Sequence, residues 1–175
     1  DALIAASKLV LAVNEVVNSF EGAQVGSVGK IKVEPGAPNV IPGKVEMSLQ
    51  MRDLSTEKIM KMFAKIELEA AKIEKETNTK IEFEHLNLST SPTIASKEIQ
   101  DKMIEAAEKL GISYIKMQSG AGHDVQEMAA LAPIGLVFIP SKDGISHNPK
   151  EYSSPAQMVK GTNVMLHTVL LLDKK

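Results

Sequence analysis

The sequence predicts an α/β protein in two parts. The first is an α+β half with an antiparallel sheet backed by helices, and the second supplies helices and buried strands to part of a mixed or parallel sheet. Three observations carry this. Residues 44–52 alternate strictly, with Val45, Met47, Leu49 and Met51 apolar against Lys44, Glu46, Ser48, Gln50 and Arg52 polar. Residues 2–18 and 55–76 carry apolar stripes at helical spacing. After Leu88-Ser89-Thr90-Ser91-Pro92 the rhythm changes, and helix and strand patterns alternate.

In chain order, Leu3, Ala6, Val10, Val13 and Val17 mark the first helix, which ends before Gly22 and Gly26. Residues 27–34 fit a short strand, with Ile31 and Val33 on one face and Lys30 and Lys32 on the other. Pro35, Pro38 and Pro42 then stiffen a loop and forbid regular structure in it. The strand at 44–52 follows, and Ser55 is placed to cap the next helix. Ile59, Met62, Phe63, Ile66, Ala70 and Ile73 form that helix's stripe. Residues 80–88 alternate through Ile81 and Phe83 and shift phase at His85-Leu86-Leu88. The order α-β-β-α-β suits a ferredoxin-like half that lacks one strand before Asp1.

Beyond the boundary, 97–109 reads as a helix closed by Gly111, Tyr114–Met117 as a short strand and 125–132 as a helix stopped by Pro133. Leu136-Val137-Phe138-Ile139, between Gly135 and Pro140, reads as a buried strand, covered on both faces. Ser154-Pro155 is an N-cap and N1 pair that opens the last helix.

The 175 residues are 43% hydrophobic and 24% charged with net charge -2, so a core is feasible and no nucleic-acid surface is indicated. Aromatics are only 3%, so the core is aliphatic, with nine Met to fill its gaps. Without Cys, disulfides and thiolate-bound zinc are excluded, and the cytoplasm is the expected compartment. Val164–Leu172 is too short to span a bilayer and contains His167. The opening at Asp1, without Met and directly into helix-like sequence, reads as a piece of a longer polypeptide.

Chemistry-bearing residues gather in loops. His147 lies past the expected buried strand in Ser141-Lys-Asp-Gly-Ile-Ser-His-Asn-Pro149, a place where strands of parallel sheets deliver functional groups. It reads either as a ligand for a divalent ion or as a loop His bonded to backbone, and one His alone holds no metal. His123, after Ser119-Gly-Ala-Gly122, reads either as a stabiliser of negative charge on a carbonyl oxygen or as half of a His123-Asp124 helix cap. Arg52 on the polar strand face and Asn39 in the proline loop can clamp a carboxylate; the plainer alternative is a surface Arg52–Asp53 pair. Ser119, Ser141 and Ser146 lack a Gly-x-Ser-x-Gly elbow, and no phosphate-cradling glycine loop occurs.

Ser119-Gly-Ala-Gly-His-Asp124 and Pro140-Ser-Lys-Asp-Gly-Ile-Ser-His-Asn-Pro149 together resemble the amidase branch of the M20 metallopeptidase family, as do Pro38-Asn-Val-Ile-Pro42 and Met51-Arg-Asp-Leu54. That branch contains the N-carbamoyl-L-amino-acid hydrolases, allantoate amidohydrolases and β-ureidopropionases. The resemblance covers nearly the whole chain. It implies a two-domain, homodimeric enzyme with two divalent ions, zinc or manganese, that hydrolyses a C–N bond of carbamoyl or ureido acids. Residues 1–90 would be the lid and dimerisation domain, and 91–175 the C-terminal part of the catalytic domain. His147 matches a metal ligand, His123 the transition-state-stabilising His that also contacts substrate, and Asn39 and Arg52 the lid residues that grip the substrate carboxylate. The family's other ligands, in a His-x-Asp motif and a Glu-Glu pair that includes its catalytic base, have no match here. The parent protein is therefore expected to be the enzyme and this chain alone to be inactive. The alternatives are a non-catalytic dimerisation module derived from such an enzyme, or an aminopeptidase of the wider family.

Overall fold

A computed structural model of the chain describes residues 1–86 and 91–173. The protein is mixed α/β, with five α-helices and one two-stranded antiparallel sheet among the described residues. The elements are α1 (Ala2–Asn18), β1 (Val25–Glu34), β2 (Lys44–Arg52), α2 (Thr56–Thr77), α3 (Lys97–Lys109), α4 (Val125–Met128) and α5 (Pro155–Leu172). They fall into two compact units, Asp1–Pro92 with Gln118–Gly120, and Thr93–Met117 with Ala121–Lys175. No helix among the described residues is long and apolar enough to cross a membrane.

The first unit is built by α1 and α2 packing one face of the β1–β2 hairpin. The Asp1 carboxylate accepts from the Leu3 N–H and starts α1, and the Ser55 hydroxyl does the same for α2 through the Lys58 N–H. Leu9, Val13, Val16 and Val17 of α1 meet Met62, Ile66 and Ile73 of α2. Val28, Met47, Leu49 and Met51 pack on them from the sheet. Met62 and Ile66 are fully buried, and each such side chain contributes about 1.5–3 kcal/mol. The alternation in β2 is reproduced residue by residue, with every odd-numbered apolar position turned inward. In β1 a bulge between Val28 and Lys30 resets the phase, and Ile31 stays half exposed. Gly26 is required by close approach, since a Cβ there would lie 2.4 Å from Val17 Cγ2.

Three expected strands form no ladder among the described residues. In residues 80–86 Ile81 and Phe83 pack against the core, but no ladder forms among the described residues. The Ile81 N–H is taken by the Glu74 carboxylate instead. Of the phase shift at His85-Leu86-Leu88 and the boundary at Leu88–Pro92, residues 88–90 lie outside the described residues. Tyr114–Met117 is likewise unladdered. Residues 135–139 keep the alternation of a strand but are covered on one face only. Gly135, Val137 and Ile139 are half-buried, whereas Leu136 and Phe138 are exposed. The reason is that apolar pattern sets which side chains turn inward, while a ladder needs a neighbouring backbone to pair with. In the second unit α3 and α5 supply a single cover. Gly135 approaches Ile99 and Met103, Ile139 approaches Gly161, and Ala106, Ala107 and Val164 form the small core.

Candidate functional site

Asn39 sits exposed in a turn of the proline loop. The turn is closed by the Val40 N–H donating to the Ala37 carbonyl at 3.2 Å. The loop base is closed by Gly43 to Glu34 at 3.1 Å, and the Ala2 N–H ties the loop to the start of α1 through the Pro42 carbonyl. The amide is thus presented on a braced support.

Arg52 is the last residue of β2 and is exposed on its polar face, where the alternation places it. Its guanidinium donates from Nη1 to the Gly120 carbonyl at 2.7 Å and from Nη2 to Gln50 Oε1 at 3.0 Å. The expected surface alternative, a pair with Asp53, is not what forms. Asp53 pairs with Lys58 at 3.0 Å and accepts from the Ser55 N–H at 2.8 Å. Burial pushes the Asp53 carboxyl up, but the Ser55 N–H, Lys58 and the Leu54 N–H outweigh it and hold the group below its usual range.

His123 is half-buried, its ring 5.4 Å from that of Phe138 in an edge-on contact. Its backbone N–H donates to Gln126 Oε1 at 3.0 Å, and the Gln126 N–H returns to the His123 carbonyl at 2.9 Å. Gln126 therefore caps this turn, and the Asp124 side chain makes no cap bond. The helix that follows is the single turn α4 rather than the expected 125–132, so little helix dipole stands behind the ring.

His147 is exposed and has φ +54, a left-handed conformation that costs a non-glycine residue roughly 1–2 kcal/mol. Asp143 and Gly144 in the same loop are also left-handed. The loop is held by the His147 N–H donating to Glu151 Oε2 at 2.7 Å and the Glu151 N–H to the Asn148 carbonyl at 2.9 Å. Backbone held in a costly conformation by specific bonds is a pattern met at functional loops. Sequence reading missed Glu151 and Gln50. The available signals were an acidic residue four after His147 and a polar residue two before Arg52 on one strand face.

Among the described residues no three His, Cys, Asp or Glu side chains converge in a way that would hold a metal ion. A divalent site takes three or more protein ligands. One Glu151 oxygen is already engaged by the His147 N–H. The described residues do not by themselves fit the pair of metals that the sequence resemblance implies.

The profile of Peptidase family M20/M25/M40 matches residues 6–171. The chain is 35% identical over 169 residues to an N-carbamoyl-L-amino acid amidohydrolase of Geobacillus stearothermophilus, covering 97% of this chain and 41% of that protein. It is 38% identical over 175 residues to a ureidoglycolate hydrolase of Arabidopsis thaliana, covering 99% and 37%. In three dimensions it is similar to an amidase of the hydantoinase/carbamoylase family from Burkholderia multivorans, with TM-score 0.91, 33% identity, and coverage of 98% and 41%. The chain thus spans about two-fifths of the length of the proteins it matches. With nearly all of its length inside the family match, the chain belongs to peptidase family M20/M25/M40.

Proposed function

We propose that this chain is part of an amidohydrolase that cleaves a C–N bond of N-carbamoyl amino acids or related, allantoate-like ureido acids. The observation that carries the reading is Arg52. It is an exposed, forked cation at the end of β2, free of its acidic neighbour, in a chain whose relatives include carbamoylases and a ureidoglycolate hydrolase. A guanidinium binds a carboxylate through two parallel N–H bonds, and an exchange of the Gly120 and Gln50 oxygens for those of a substrate keeps both donors satisfied. Asn39 adds an amide donor from its braced turn. His123 stabilises the negative charge that develops on the carbonyl oxygen by donating a hydrogen bond to it, and its Phe138 contact limits the ring's freedom.

In this reading residues 1–90 are a lid and dimerisation domain of a homodimer, and 91–175 are the C-terminal part of the catalytic domain. His147 contributes one ligand to a zinc or manganese site whose other ligands this chain does not supply. Residues 1–175 alone therefore turn over no substrate.

The test is to assay the full-length protein that carries this chain on N-carbamoyl-L-amino acids, allantoate and dipeptides, with zinc or manganese added. Turnover of the carbamoyl or ureido acids, with Arg52→Ala raising KM at least about tenfold, is the expected result. Preference for dipeptides would favour the aminopeptidase alternative, and no turnover of any of them would favour the dimerisation module.

A further inference from the structure

Next to Arg52 stands a half-buried polar network to which neither the family resemblance nor the proposed chemistry assigns a role. The Lys58 ammonium has three protons and meets three acceptors. These are the Glu21 carbonyl at 2.6 Å, Gln24 Oε1 at 2.5 Å and Asp53 Oδ2 at 3.0 Å. The Lys58 and Asp53 side chains keep only 21% and 9% exposure. Gln24 passes the connection on, donating to the carbonyls of Val17 at 2.9 Å and Phe20 at 2.6 Å. The other Asp53 oxygen accepts the Ser55 N–H at the start of α2. Gly22 makes room for this arrangement, because it has φ +118 and a Cβ there would lie 2.8 Å from Lys58 Nζ.

Two consequences follow for Arg52. Its neighbour Asp53 is tied to the end of α1 and to the start of α2, so the backbone from which the guanidinium projects is fixed. Asp53 is also the nearest carboxylate in sequence and the natural competitor for that guanidinium; Lys58 keeps it occupied. We propose that Lys58 is a positioning residue for Arg52, holding Asp53 away from the guanidinium so that Arg52 stays open to the carboxylate of an N-carbamoyl or ureido acid. This rests on the clamp reading of Arg52 given above.

The experiment is a double-mutant cycle. In the full-length protein, Lys58→Met raises KM for an N-carbamoyl-L-amino acid about tenfold with kcat changed less than about twofold, since ground-state binding is what is lost. Adding Asp53→Asn removes the competing charge and returns KM to within about threefold of the parent, a coupling that neighbouring groups in one network show. In the present chain, the Arg52 Nε–Hε NMR signal shifts in Lys58→Met and moves back in the double variant. A folded Lys58→Met protein with unchanged KM and an unmoved Arg52 signal overturns the inference, as does a raised KM that Asp53→Asn fails to correct. If Lys58→Met does not fold, Lys58→Gln, which keeps a donor but loses the charge, is read by the same criteria. Arg52→Ala separates the two layers. If it leaves KM unchanged, the clamp reading fails, and the NMR arm still decides whether Lys58 positions Arg52. If it raises KM while Lys58→Met does not, only the positioning role is lost.

Discussion

In the unit that holds α1, β1, β2 and α2, Met62 and Ile66 have no exposed surface and nine buried residues form one continuous core. In the unit that holds α3, α4 and α5, the buried cluster is Ala106, Ala107 and Val164, while Ile115 and Leu131 stand 81% and 80% exposed. Both stretches are similarly apolar in pattern. The difference is that the first unit contains both sides of its own interface: two helices, and a hairpin whose strands pair with each other. The second has strand-like segments without ladder partners among the described residues. Apolar pattern is a property of a segment; a ladder and a two-sided core are properties of its neighbours.

Hydrogen exchange should sharpen this contrast most. Amides of the β1–β2 ladder are expected to open only with global unfolding, on the order of 5–15 kcal/mol, and those of 136–139 to exchange through local openings near zero. Equal protection would show that the two units are equally complete. Next comes Ile66→Ala, expected to cost about 2–5 kcal/mol in urea unfolding because its site has no solvent side into which to collapse. Ser154→Ala is smaller. It removes a capping box in which the Ser154 hydroxyl accepts the Gln157 N–H and the Gln157 side chain accepts the Ser154 N–H, and should cost about 1 kcal/mol.

The smallest effect concerns Glu105 on α3, which lies 2.8 Å from Lys102 and 2.7 Å from Lys109. Donation from Lys102, then from Lys109, holds its carboxyl at about 2, against an ordinary value of 4.5. A carboxyl depressed in the folded state stabilises above its ordinary value and loses that contribution as pH falls through its folded one. Between pH 4.5 and about 2 the parent should therefore lose slightly more stability than Glu105→Gln. Parallel pH profiles for the two proteins would show that this exposed triad does not couple to folding.

The bounds of the longer helices were legible because capping and periodicity are local. Asp1, Ser55 and Ser154 each sit where a cap is needed, and the last helix begins at Pro155 as its Ser-Pro pair indicates. The polar-face placement of Arg52 was legible for the same reason, since alternation fixes sides along a strand. The Asp124 cap, one of two readings that the spacing at His123 left open, does not form. Asp124 adjoins His123 in sequence, but the side chain that reaches the His123 N–H is Gln126, three residues on.

By itself the sequence determined the mixed α/β class, the starts of α1, α2 and α5, the inward face of β2, and the four loop and strand-end residues that resemble those of an M20 amidase, because each is written in spacing and residue type over a few positions. Only the tertiary structure decided that residues 80–86, 114–117 and 135–139 form no ladder among the described residues, that Asp53 pairs with Lys58 rather than with Arg52, and that His147 is held left-handed by Glu151. Those outcomes depend on which backbone or charge arrives from elsewhere in the fold. A hydrogen-bond partner is chosen by distance in space, which local spacing leaves open.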